Sequence, residues 1–168
     1  MRLASSAVLL LLAAGCASAP PPPVDPGGVV DFSLPIWASS QQHSFADDRG
    51  HVVVIDAWAS WCAPCRTQLP QLDALARNFA GQGLRVYAVN IDQNVDAVQP
   101  FLLGLRVDLP VLLDPGGATL TRLLHLESMP TTWVLDRSGK VVLTERSGTT
   151  LAAVEAKVGM LLAGPPGS

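Results

Sequence analysis

The chain has 168 residues, with 14 acids against 11 lysines and arginines for a formal net charge of −3; 49 % of residues are apolar and 15 % charged. That composition is globular rather than disordered, and the length carries one full hydrophobic core but not two. There is no basic surplus to bind a polyanion, which excludes a nucleic-acid partner.

The N-terminus opens with Met1-Arg2, then an apolar run from Leu3 to Ala14, then Gly15-Cys16. The run is too short to span a bilayer and has the three-part layout of a secretion signal. "LLAAGC" also resembles a bacterial lipobox, in which cleavage precedes a cysteine that takes a lipid. Small residues at Ala14 and Gly15 fit that reading, although Leu12 stands one step earlier than the usual leucine, whose place is taken by Ala13. The alternative is an ordinary signal cut after Ala17-Ser18-Ala19. We expect residues 1–15 to be a lipoprotein signal, Cys16 to carry the lipid, and 16–28 to be an extended proline-rich tether reaching roughly 40 Å at ~3.1 Å per residue. Loss of Arg2 with the signal moves the net charge from −3 to −4. The expected location is the periplasmic side of a bacterial membrane, the outer membrane favoured because Ala17 rather than Asp follows the cysteine, and otherwise the soluble periplasm.

A folded domain is expected over 29–163, with a frayed tail at 164–168. Val29–Leu34 is a candidate strand and Gln41–Phe45 a short edge strand or turn. Val52–Trp58 is an unbroken apolar and β-branched run, the pattern of a buried strand. Leu69, Leu72, Leu75, Ala76 and Phe79 give Ala63–Gly81 helical spacing, stopped by Gly81 and Gly83. Leu84–Ile91 is a second buried strand. Asp96–Leu105 reads as a helix disturbed by Pro100. Val111–Leu113 is a short strand and Ala118–Leu124 a helix. Thr131–Asp136 and Lys140–Arg146 flank Arg137-Ser138-Gly139 as a hairpin, and Leu151–Leu162 is a closing helix. The order β-α-β, then β-β-α, predicts an α/β fold with a central mixed sheet flanked by helices.

The chemistry concentrates in "DAWASWCAPC", Asp56 to Cys65. Structural zinc needs four ligands, and there is no second CxxC; His43, His51 and His125 are scattered singly. A loop this short gains little as a structural staple. The motif follows a buried strand and opens a helix, which suits a redox dithiol. Cys62 at the helix N-terminus would be favoured as thiolate and is the candidate nucleophile; Cys65, one turn in, is the candidate resolving thiol. Pro64 suits the first helical turn. Asp56, on the preceding strand, is the acid placed to take the proton of Cys65. The odd count of three cysteines resolves if Cys16 is capped by lipid.

Position by position the stretch resembles the thioredoxin family. Asp56 falls on the family's buried acid, Trp58 and Trp61 on its tryptophans, Cys62 and Cys65 on its dithiol, and Pro70 on the proline inside its long first helix. Met129-Pro130-Thr131-Thr132 matches the loop with a cis-proline beside the dithiol. The resemblance covers about Val29 to Ala163 and implies a thioredoxin-like fold, with Trp61, Ala63, Pro64, Met129 and Pro130 as the client-binding surface. "DFSLP" and the helix near Asp96–Leu105 are similar to the membrane-tethered TlpA/ResA-like branch, whose members keep extracytoplasmic cysteines reduced, often those that attach the haem of cytochrome c. Two positions depart from the patterns. That branch commonly has Glu where this chain has Gln68, and the lysine that accompanies the buried acid of cytoplasmic thioredoxins aligns with Ala88. Asp56 is therefore expected to work alone and to hold its proton more firmly.

The expected function is reduction of disulfides in exported proteins through a mixed disulfide, by a monomer that needs no cofactor beyond its dithiol and draws electrons from a membrane donor. Two other readings stay open. A copper-handling module would use Cys62 and Cys65 with His125 or Met129; a thiol peroxidase would want Thr at Ala59. Trp58, Trp133 and Phe79 read as core, and Arg66 and His125 as surface residues at least as readily as modulators of the thiolate. The direction of electron flow is not legible.

Overall fold

The computed structural model describes residues 28–146 and 151–164. The proposed signal, Cys16, the tether up to residue 27 and the tail beyond Gly164 lie outside the described residues. Seven strands and four α-helices follow in chain order: β1 (Ser33–Pro35), β2 (Gln42–Ser44), β3 (Val52–Trp58), α1 (Ala63–Asn78), β4 (Leu84–Asn90), α2 (Val98–Leu103), β5 (Val111–Leu113), α3 (Ala118–Leu124), β6 (Thr131–Leu135), β7 (Val141–Glu145) and α4 (Ala152–Ala163).

The main sheet has the order β5-β4-β3-β6-β7. β3 runs parallel to β4 and antiparallel to β6, so the sheet is mixed. β3 lies at its centre, and all seven of its residues are buried. This is what an uninterrupted apolar run requires, since a strand covered on both faces has no polar side to show. Its alternation divides the core in two. Val52, Val54 and Trp58 join Cys65, Leu69 and Leu72 of α1, with Phe101 of α2 and Val154 and Val158 of α4. Val53, Ile55 and Ala57 meet Leu120, Leu123 and Leu124 of α3 on the opposite face.

The N-terminal segment behaves differently from the single strand expected there. Val30, Phe32 and Leu34 are buried against the α3 face while Val29 and the residues between them point outward, a clean period of two. Only Ser33–Pro35 forms a strand, paired with β2 in a separate two-stranded sheet. The segment crosses the main sheet instead of extending it: Val29 bridges Lys140 beside β7, and Ile36 bridges Leu112 on β5. Alternation reports burial, and burial here comes from lying across a face.

The expected helix over Asp96–Leu105 is a 3-10 turn, Val95–Ala97, followed by the six residues of α2. Pro100 is the third residue of α2, within the first turn, where a missing N–H breaks no helical bond. Helix α1 ends at Asn78, before the turn in which Gly81 and Gly83 adopt positive φ. The β6–β7 hairpin turns through Asp136–Lys140, with Gly139 at φ +81° and Asp136 Oδ1 accepting from the Ser138 and Lys140 amides.

Candidate active site

β3 delivers the chain to the end of the sheet, and the residues after Trp58 turn into α1. Cys62 is the N-cap of that helix, with extended backbone, and its sulfur accepts a hydrogen bond of 3.3 Å from the Cys65 amide. That bond answers one of the helix's unpaired N–H groups and places the sulfur at the positive end of the helix dipole. Cys62 and Cys65 are joined by a disulfide across one turn, with Cα atoms 5.4 Å apart. Pro64 is the second helical residue, as its missing donor allows. Cys65 is fully buried and Cys62 only 4 % exposed, whereas Trp61 is 68 % exposed and Ala63 and Pro64 lie at the surface beside it.

The loop before Cys62 is pinned from β4. Asp92, buried just past the end of that strand, accepts from the Ser60 amide (2.9 Å), the Ser60 hydroxyl (3.0 Å) and the Asn90 side-chain amide (2.8 Å). The Ile91 amide donates to the Trp58 carbonyl at 3.0 Å. On the other flank Trp58 is buried and stacks on Phe101, and the Arg66 guanidinium lies over the Phe101 ring, 4.4 Å from its centroid. Arg66 is thus a cation on an aromatic face that ties α1 to α2. Met129-Pro130 is a cis peptide, and Pro130 is buried immediately before β6. Because Thr131 pairs with Ala57, this loop stands at the same end of the sheet as the dithiol.

Asp56 lies under the dithiol. Its place in the alternation of β3, between Val54 and Trp58, turns it toward α1, and it is completely buried. Oδ1 accepts from Gln68 Nε2 at 2.5 Å and from the Thr132 hydroxyl at 2.7 Å, while Oδ2 is buried with no partner among the described residues. Burial pushes the Asp56 carboxyl up to about 7, against the pull of the hydrogen bonds from Thr132 and Gln68, which favour the carboxylate. A buried acid with such a proton affinity, facing the helix that carries the dithiol, can exchange protons near neutrality.

A family model described as the AhpC/TSA family matches residues 28–144. The chain belongs to the AhpC/TSA family. Among relatives, the thiol-disulfide oxidoreductase ResA of Bacillus subtilis is 32 % identical over 97 residues, 58 % of this chain and 54 % of that protein. The chain thus spans little more than half the length of the curated relatives it matches. A solved structure of a candidate thiol:disulfide interchange protein DsbE from Chlorobium tepidum is 33 % identical, with a TM-score of 0.75 over 83 % of this chain and 99 % of that one. A secreted thiol-disulfide isomerase from Corynebacterium glutamicum is 26 % identical, with a TM-score of 0.74 over 82 % and 86 %. Fold and family agree: this is a thioredoxin-like fold.

Within this AhpC/TSA domain the structure brings Cys62, Cys65 and Asp56 to one end of the sheet, with Trp61, Ala63 and Pro64 exposed around them and Met129 packed against the same core cluster. Ala88 does pair with Asp56 across β3 and β4, so no lysine accompanies the acid there. The expectation that Asp56 works alone needs correcting, however, because two neutral donors hold it. In the sequence Gln68 stands out only as the position where the similar branch commonly has an acid. One signal could have marked it: it occupies a core-facing place on α1, three residues after Cys65 and one before Leu69, where an uncharged polar side chain must find a buried partner. His125 is exposed at the C-terminal end of α3. Among the described residues no three His, Cys, Asp or Glu side chains gather as a metal site.

Proposed function

We propose that the chain is an extracytoplasmic thiol–disulfide oxidoreductase that reduces disulfides in exported proteins. The observation that carries the reading is the Cys62–Cys65 disulfide at the N-terminus of α1 above a buried carboxyl poised near neutrality. In the reduced form the Cys62 thiolate attacks a client disulfide; the client S–S bond breaks, a client thiolate leaves, and a mixed disulfide forms. Asp56 takes the Cys65 proton, and the Cys65 thiolate attacks the Cys62 sulfur. This re-forms the Cys62–Cys65 bond and releases the second client thiolate, so two electrons have passed to the client. Trp61, Ala63, Pro64, Met129 and Pro130 would form the surface that meets the client chain. A membrane donor would restore the dithiol, and lipid on Cys16 would hold the domain at the membrane. The similar proteins, a thiol-disulfide oxidoreductase and a candidate thiol:disulfide interchange protein, support the chemistry.

Two measurements test the reading. Cys65→Ser should accumulate a client–Cys62 mixed disulfide visible on a non-reducing gel, and Cys62→Ser should not. The equilibrium potential of the pair against glutathione and dithiothreitol fixes the direction. A value near or below roughly −250 mV fits a reductant, whereas one near roughly −120 mV makes the protein an oxidant of exported chains.

A further inference from the structure

Three side chains from three elements meet beneath the dithiol: Asp56 on β3, Gln68 on α1 and Thr132 on β6, all buried. The Gln68 amide donates to two acceptors at once, Asp56 Oδ1 at 2.5 Å and Thr132 Oγ1 at 2.8 Å. The second bond matters as much as the first. With its oxygen occupied by the Gln68 amide, the Thr132 hydroxyl turns its own hydrogen onto Asp56 Oδ1, 2.7 Å away. Oδ1 therefore receives two donors, which use its two lone pairs, and among the described residues Oδ2 has none.

We propose that Gln68 is a positioning residue: with Thr132 it saturates Oδ1 of Asp56, leaving Oδ2 as the atom that takes and gives the proton. The proposal deepens the oxidoreductase reading and rests on it for the use of that proton. The two donors favour the ionised acid and so set a ceiling on the proton affinity that burial alone would drive higher. Charges on the neighbouring elements are engaged elsewhere. On α1, Asp73 pairs with Arg77, and Arg66 lies over Phe101. On β4, Arg85 pairs with Asp48; β6 carries no charged residue. On α4, Glu155 is exposed and Lys157 half-buried, while Val154 and Val158 face the core. The remaining titratable groups on the α1 side are the Cys62 and Cys65 thiols, which the disulfide silences. Burial and two neutral hydrogen bonds are left to control Asp56.

The test is a ¹³C NMR titration of the Asp56 side-chain carboxyl in the folded, oxidised full chain, which needs no client and no turnover. Wild type should titrate near 7. Gln68→Leu and Thr132→Val should each move the midpoint up by about one pH unit, roughly tenfold in proton affinity. Gln68→Glu should restore the packing but place two carboxyls on one proton, giving two steps, one on each side of the wild-type midpoint. An unmoved midpoint in Gln68→Leu overturns the proposal. If that variant does not fold, a single unshifted Asp56 step in Gln68→Glu overturns it instead. The pH profile of disulfide exchange is the second readout, and its acid limb should move with the NMR midpoint. A moved midpoint with an unmoved limb overturns the role of Oδ2 in the reaction. Loss of the oxidoreductase reading looks different: wild type would exchange no disulfide at any pH, with the NMR shifts intact.

Discussion

Asp48 and Asp56 are eight residues apart and both buried, one shortly before β3 and the other within it, yet their surroundings are opposites. Asp48 meets three donors and uses both oxygens: His43 Nε2 at 2.8 Å on Oδ2, and the Tyr87 hydroxyl at 3.0 Å with the Arg85 guanidinium on Oδ1. The His43 and Tyr87 rings stack at 4.3 Å, which closes the cluster, and burial together with Asp48 raises the Tyr87 hydroxyl above its ordinary range. Among the described residues Asp56 meets no charge, only an amide and a hydroxyl, and keeps one oxygen bare. A buried carboxylate answered by a guanidinium is a fastener. One answered only by neutral donors is held in place with its proton still exchangeable.

The same substitution at the two sites should act with opposite sign. The largest effect is expected for Asp56→Asn. The folded protein binds the Asp56 proton up to about 7, whereas the unfolded chain releases it near 3.8. Below that value the acid is neutral in both states and costs nothing. As pH rises through this window, folding must either retain a proton that the unfolded chain gives up or bury a charge, and stability falls. Asp56→Asn should therefore raise the denaturation free energy at pH 8 by about 4 kcal/mol, flatten the slope between pH 4 and 7, and slow disulfide exchange about 100-fold. Urea melts at several pH values, with exchange rates on the same samples, check both halves. Stability gained without loss of rate would break the assignment of a reactive role to Asp56.

Asp48→Asn should do the reverse, lowering stability by about 2 kcal/mol by leaving Tyr87, His43 and Arg85 poorly answered, with the exchange rate per folded molecule unchanged. Urea midpoints and a rate corrected for folded fraction decide it. The smallest effect is expected for Arg66→Ala, which removes the cation from the Phe101 face at a cost of about 0.5–1 kcal/mol. If Arg66→Ala instead shifts the reduction potential of the dithiol, its charge reaches the cysteines and the packing role assigned to it is incomplete.

The contrast also shows what a linear sequence conveys. β3, β5 and α3 are legible to the residue because short apolar runs bounded by turn residues have few other uses. The dithiol and Asp56 are legible because their spacing is local and their chemistry distinctive. Gln68 is not, since its partners lie 12 and 64 residues away and nothing near it in the chain hints at either. The Asp92 clamp on Ser60, 32 residues distant, was hidden for the same reason. The N-terminal segment misled in a different way: its alternation is real, but period two records only which side is covered, not whether strand or sheet face does the covering.

That crossing segment has a bearing on how the domain behaves in company. At one end Val30 donates to the Gly139 carbonyl and Gly28 accepts from Val141; at the other Trp37 donates to the Val111 carbonyl. One stretch of ten residues therefore engages backbone groups at both outer strands of the sheet, where an unpaired ladder would template association with a neighbouring molecule. A protease that nicked the chain within residues 28–37 would spare every residue of the redox site and still loosen the segment's hold on backbone groups at the rim of the sheet.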